Sequence, residues 1–136
     1  MNTADMKNIL VIDDDPLCMF SMLKILCDEG YHVVAVNSPE TVISSINAGD
    51  FEVIITDFNM EPVNGIELVR TLRGRGFSGK AILVSGIYHP DGKEMSEAGI
   101  VAFFQKPFEI EGICKKVREY MGEKSRFDGH TGGIRF

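Results

Sequence analysis

Four side chains stand where apolar runs stop. Asp13 and Asp14 follow Ile9, Leu10, Val11 and Ile12, Asp57 follows Val53, Ile54, Ile55 and Thr56, and Lys106 with Pro107 follows the run from Ile100 to Phe104. Three carboxylates gathered within a few ångströms repel one another, so they either protonate or share a cation. All-oxygen ligation with room for water suits Mg²⁺, or Mn²⁺ in its place, hard ions that take few carboxylates directly and share their shell with phosphate. An ammonium from Lys106 beside such an ion would make a phosphoryl-binding arrangement, with two cations on different oxygens of the transferred group. Asp57 would then be the nucleophile.

Taken singly, each residue has a plainer use. Asp14 or Asp15 ahead of Pro16 can cap a helix that has proline at its first position. Asp57 could turn its loop, and a lone lysine is most often solvated. Their joint placement at three strand ends favours chemistry, because open parallel α/β sheets bind ligands outside the carboxyl ends of their strands. Asp13 and Asp14 are therefore assigned to metal and Asp15 to the helix N-terminus, where the dipole stabilises negative charge.

The elements that must position these groups alternate five times between strand-like and helix-like patterns, as expected for a parallel sheet covered by helices on both faces. Strands are expected near 8–13, 32–36, 52–57, 80–84 and 101–105, and helices near 16–29, 39–48, 65–74, 91–98 and 109–121. Gly30, Gly49 and Gly99 sit before strands, where a helix end needs a residue tolerant of left-handed angles. Ser38-Pro39 signals a helix start. The fourth helix should be short and mobile, because Tyr88-His89-Pro90-Asp91-Gly92 is loop chemistry. After residues 1–121, the segment 122–136 has four glycines in fifteen residues and reads as a flexible C-terminal tail.

A chain of 136 residues with 44% hydrophobic and 25% charged residues suits one globular domain. Its net charge of -6 and lack of a basic cluster argue against nucleic-acid binding. No apolar stretch reaches membrane-spanning length, and MNTADMKN is not a secretion signal, so a cytoplasmic location is expected. Cys18, Cys27 and Cys114 lack metal-ligand spacing and read as reduced packing residues. His32, His89 and His130 are isolated.

Between residues 7 and 121, the strings ILVIDDDP, VIITDFNM with Gly65, AILVSG and FFQKPF resemble, in order and approximate spacing, the receiver domains of two-component response regulators. The resemblance implies an α/β, flavodoxin-like sheet of five parallel strands in order 2-1-3-4-5. It implies Asp57 as phosphoacceptor, Asp13, Asp14 and Asp57 as Mg²⁺ carboxylates, and Asn59 as a ligand through its backbone carbonyl. Ser85 and Lys106 would bind the phosphoryl group, with the Lys106-Pro107 bond in cis. The expected donor is a histidine kinase or histidine phosphotransfer protein. A downstream effector or a second copy would dock through the fourth helix, fifth strand and fifth helix, with neither nucleic acid nor membrane as partner. Such a chain is a switch rather than an enzyme, catalysing only its own phosphorylation and dephosphorylation.

Several positions depart from the family pattern. Glu61 stands where receivers commonly carry proline, which comes one place later as Pro62. Phe103 occupies an aromatic switch position without a hydroxyl, so an inward shift accompanying Ser85 would rest on packing alone. Ile87 is apolar where similar receivers tune hydrolytic water, which suggests a long phosphoryl lifetime. From Leu17 to Cys27, nine of eleven residues are apolar, more than a core-facing stripe requires. Exposed members of Leu17, Met19, Phe20 and Leu23 could form a kinase-docking patch. Two rival readings are a non-phosphorylated interaction module of the same fold, and a Mg²⁺ phosphohydrolase of the haloacid dehalogenase type with Asp13 as nucleophile.

Overall fold

The computed structural model describes residues 8–86, 90–107 and 110–122. Ile87, His89, His130 and the segment 123–136, for which expectations were stated, lie outside the described residues. In chain order the elements are β1 (Asn8–Ile12), α1 (Pro16–Asp28), β2 (His32–Val36), α2 (Pro39–Ser45), β3 (Val53–Asp57), α3 (Gly65–Arg73), β4 (Lys80–Ser85), α4 (Gly92–Glu97), β5 (Ile100–Gln105) and α5 (Ile110–Tyr120). The strands form one parallel sheet in the order β2-β1-β3-β4-β5.

β1 and β3 lie inside the sheet, and every residue of β3 and all but the first of β1 are buried. A strand covered on both faces has no polar side to show, which is why these strands read as unbroken apolar runs. Side chains alternate between two cores. Leu10, Ile12, Ile54 and Leu83 meet Leu68 and Leu72 of α3 on one face, while Val11, Ile55, Ile82 and Val84 meet Met22 and Leu26 of α1 and Ile113 and Val117 of α5 on the other.

The helix starts follow local chemistry. Asp15 caps α1 by accepting from Leu17 N at 3.1 Å, with Pro16 in the first turn, and Ser38 caps α2 ahead of Pro39. Asn64 and Glu67 form a reciprocal capping box at α3.

Three expectations are corrected. The helix expected to reach residue 48 stops at Ser45, because Ile46 turns extended and Asn47 caps a separate 3-10 turn, Ala48–Asp50, by accepting from Gly49 N. Gly49 is therefore inside that turn, and its backbone is not left-handed, whereas Gly30 and Gly99 have φ of 98° and 78°. Cys27 is exposed rather than a packing residue. No described helix is long and apolar enough to cross a membrane.

Candidate functional site

β1, β3, β4 and β5 all run the same way, so their carboxyl ends open onto one edge. Asp57 is the last residue of β3 and Ser85 the last of β4, while Asp13 and Lys106 directly follow β1 and β5. Asp13, Asp57 and Ser85 are 0%, 3% and 0% exposed, whereas Asp14 faces solvent. The edge thus places two buried carboxylates beneath an exposed one.

Lys106 Nζ lies 3.0 Å from Asp13 Oδ2 and 3.6 Å from Asp57 Oδ2. It donates to Asp13 Oδ1 at 3.3 Å. Buried Asp13 Oδ2 has the ammonium as its ion-pair neighbour. Asp13 Oδ1 also accepts from Asp15 N at 2.9 Å, and Asp57 Oδ1 from Asn59 N at 3.3 Å. The acidic string is therefore divided: Asp15 serves the helix as expected, while of the two aspartates assigned to metal Asp13 turns inward and Asp14 outward.

Electrostatics set the charge states. Burial is the main cause that raises the Asp57 carboxyl to about 6, helped by the Asp13 and Asp14 charges and opposed by Lys106 and the Asn59 amide. Burial works against the Lys106 ammonium, but its contacts with Asp13 and Asp57 outweigh this and raise its pKa. Cys18, on the first turns of α1, has its thiol pushed up to about 12 by burial and then by the adjacent Asp13 carboxylate. That thiol stays protonated beside the acidic site.

Oxygen atoms of Asp13, Asp14 and Asp57 come within 4.8 Å of one another. Opposite oxygens of an octahedral Mg²⁺ are about 4.2 Å apart, twice a bond of ~2.1 Å. Among three ligands only one pair can be opposite, and neighbouring oxygens stand about 3.0 Å apart, so the triad would close on one such ion by moving inward by an ångström or so, or with one carboxylate reaching it through water. Asp13 Oδ2, buried and paired with the Lys106 ammonium at 3.0 Å, keeps a lone pair that such an ion could take. The chemistry is all-oxygen and net negative, which suits a hard divalent cation.

Ser85 donates its hydroxyl to Asn59 Oδ1 at 3.1 Å. The family resemblance implies Asn59 as a ligand through its backbone carbonyl, and nothing in the sequence points to its side chain as the partner of Ser85. Phe103 is partly buried against the α3-side core and pairs in register with Leu83, so it lies on the sheet face that Ser85 shares. Glu61 is exposed and lies outside the acidic group. The Lys106–Pro107 peptide is cis, and so is Glu61–Pro62. Gly65 lets α3 begin against the acceptor strand: a Cβ there would sit 2.3 Å from the Asp57 carbonyl oxygen.

The expected docking residues divide. Leu17 and Phe20 are 79% and 58% exposed, and Leu23 is intermediate. Met19 is buried, contrary to its place in that patch, because with Met22 and Leu26 it faces the sheet at helical spacing. Beside Leu17 an open groove of about 490 Å³ is lined by Cys18, Ser21, Lys106, Pro107 and Ile110.

Comparison with known proteins agrees with this geometry. Residues 9–118 match the family model described as the response regulator receiver domain. The DNA-binding transcriptional activator EvgA of Escherichia coli is 30% identical over 101 residues, covering 73% of this chain and 50% of EvgA. The chain spans half or less of the length of such relatives. A CheY-like receiver domain protein from Methanospirillum hungatei superposes with a TM-score of 0.77 at 25% identity, covering 90% of this chain and 98% of that one. The response regulator TrrA of Thermotoga maritima, solved in complex with Mg²⁺-BeF, gives 0.72 at 25% identity, covering 85% and 99%. With its strand order, its acidic strand-end site and a family match over most of its length, the chain belongs to the response regulator receiver domain family of two-component signalling.

Proposed function

We propose that this chain is a phosphorylation switch in which Asp57 accepts a phosphoryl group from the phosphohistidine of a kinase or phosphotransfer protein. The observation that carries the reading is the shared contact of Lys106 with two buried carboxylates, Asp13 and Asp57, at the end of three strands. An Asp57 oxygen attacks phosphorus as the P–N bond breaks, and the imidazole leaves with the bonding pair and takes up a proton. Burial holds the attacking carboxylate in one place, the Asn59 amide orients it, and Lys106 offsets the charge that grows on the acyl phosphate. Asp13, Asp14 and Asp57 would hold Mg²⁺ together with the Asn59 carbonyl, and the ion when bound supplies charge neutralisation of the phosphoryl oxygens.

Once formed, the acyl phosphate competes with Asn59 for the Ser85 hydroxyl. Withdrawal of Ser85 toward phosphate leaves space on its own sheet face, and Phe103 fills it by packing. The exposed side chains of Leu17 and Phe20, with the groove that Leu17 and Lys106 line, form the surface on which the donor's helices rest. The output surface is the α4–β5–α5 face, where Val101 is 42% exposed.

Acetyl phosphate treatment in Mg²⁺ followed by intact mass analysis tests the reading. One phosphoryl group should be gained by the wild type and none by Asp57→Asn. A label on Asp13 with repeated turnover would support a hydrolase instead, and no label at all an interaction module.

A further inference from the structure

The guanidinium of Arg73, the last residue of α3, does not reach solvent-side partners. It turns under the sheet edge and donates to four backbone carbonyls: Nε to Ala98 at 3.1 Å, Nη2 to Gly99 at 2.9 Å, Nη1 to Gly79 at 2.8 Å and, more weakly, Nη1 to Phe77 at 3.5 Å. Its carbon lies 4.6 Å from the centre of the Phe77 ring. Ala98 and Gly99 are the C-terminal end of α4, where helix carbonyls lack partners within the helix and carry the negative end of its dipole. A planar fork that fits several carbonyls at once is something arginine supplies and lysine does not.

The rest of α4 is weakly tied. None of its residues is buried, its six residues are too few for independent stability, and Met95 is its partly buried contact with the core. At its C-terminal end the ties accumulate. Arg70 reaches Glu97 at 3.6 Å, Gly99 N donates to Ser96, and a Cβ on Gly99, whose φ is 78°, would meet Arg73 Nη2 at 2.6 Å. The other end of α3 abuts the acceptor strand, with Gly65 N bonded to the Phe58 carbonyl and its Cα against Asp57. One helix therefore bears on the acceptor at its N-terminus and grips the α4–β5 joint at its C-terminus.

We propose that Arg73 is a positioning residue of the switch, which pins the C-terminal end of α4 to α3 so that α4 responds by tilting about Ala98–Gly99. The displacement begins at Ser85, on the N-terminal side of α4, and the pinned end turns it into a rotation rather than a slide. Residues at the start of α4 then move most, and the joint with β5 moves least. This inference rests on the phosphorylation reading above.

The test is the profile of backbone amide shifts along Asp91–Val101 when beryllofluoride and Mg²⁺ are added to the full chain. In the wild type, changes at Asp91–Lys93 should exceed those at Ala98 and Gly99 several-fold. In Arg73→Lys, which keeps the charge but loses the fork, changes at Ala98 and Gly99 should rise to match, and exchange of the Gly99 amide in the free protein should quicken roughly tenfold. A merely structural arginine would lower global stability without redistributing the profile. Shifts at Asp57–Asn59 that are accompanied by a uniform α4 profile in the wild type, or by an unchanged profile in Arg73→Lys, would overturn the pivot alone. No shift at Asp57–Asn59 would defeat the phosphoacceptor reading, and the pivot with it.

Discussion

Ser85 and Asn59, 26 residues apart in sequence, are joined by a hydrogen bond of 3.1 Å from the serine hydroxyl to the asparagine side-chain oxygen. The hydroxyl proposed to bind phosphate is thus engaged before phosphate arrives. Binding of a phosphoryl group must replace this bond, and a typical intramolecular hydrogen bond has a net worth of about 0.5–1.5 kcal/mol. Asn59→Ala keeps the backbone carbonyl and amide but removes this acceptor from the Ser85 hydroxyl. Beryllofluoride should bind this variant roughly 2–10-fold more tightly at saturating Mg²⁺. Equal or weaker binding, measured by calorimetry, would mean that the bond does not restrain the serine.

Asp57 makes stability depend on pH in an unusual direction for a carboxylate. Its folded value of about 6 lies above the ordinary 3.8, so between these values the folded protein binds more protons than the unfolded one. Stability contributed by the protonated form is present below pH ~4 and is lost as pH rises through ~6. The full loss amounts to about 3 kcal/mol at neutral pH, as an upper estimate. Denaturant melts of Asp57→Asn should show this decline removed, making the variant more stable than wild type at pH 7 and no more stable at pH 4. A carboxyl ¹³C titration with a midpoint near 4 would sink the argument.

Lys106 is the positive charge that makes two buried carboxylates tolerable. Lys106→Met leaves Asp13 and Asp57 facing each other with no ammonium, and removing one partner from a buried ion pair costs up to about 3–5 kcal/mol. Lys106 is 22% exposed, so a loss nearer to 1–3 kcal/mol is expected in metal-free buffer. Millimolar Mg²⁺ should recover much of that loss, more than it stabilises the wild type, because the ion then meets the carboxylates without a competing cation. Thermal melts with and without Mg²⁺ check both halves; an equal Mg²⁺ increment in the two proteins contradicts the prediction.

The acidic site could be read from sequence because β1 and β3 are buried on both faces. Ile9–Ile12 and Val53–Ile55 lack the polar residues that alternation would otherwise demand, and Thr56 carries no charge, so the first charge after each run marks the strand end. The bond between Asn59 and Ser85 could not, since it depends on the β3–β4 register that sets Asp57 beside Val84. Arg73 is hidden for a similar reason: an arginine at a helix end looks like dipole complementation, and its carbonyl partners at 79, 98 and 99 belong to other elements. Rotation of α1 was concealed by its composition, because a helix apolar on every side has no polar stripe to say which way it faces.

That rotation separates Met19 from its neighbours and gives the sharpest contrast in the molecule. Met19 is 8% exposed and packs under the sheet, while Leu17 is 79% and Phe20 58% exposed on the same helix. Met19→Ala should cost about 2–5 kcal/mol, the range for truncating a buried large side chain. The double variant Leu17→Ser, Phe20→Ser should change stability by less than about 1 kcal/mol, since neither ring nor branch is packed in the core. Its labelling by acetyl phosphate should match the wild type, because the small donor needs no docking surface. Transfer from a phosphorylated histidine kinase or phosphotransfer protein should instead slow at least tenfold, as expected where exposed apolar anchors lie at the centre of a contact. Equal slowing with both donors would place Leu17 and Phe20 in the site's own architecture, and no slowing with either would remove them from the docking surface.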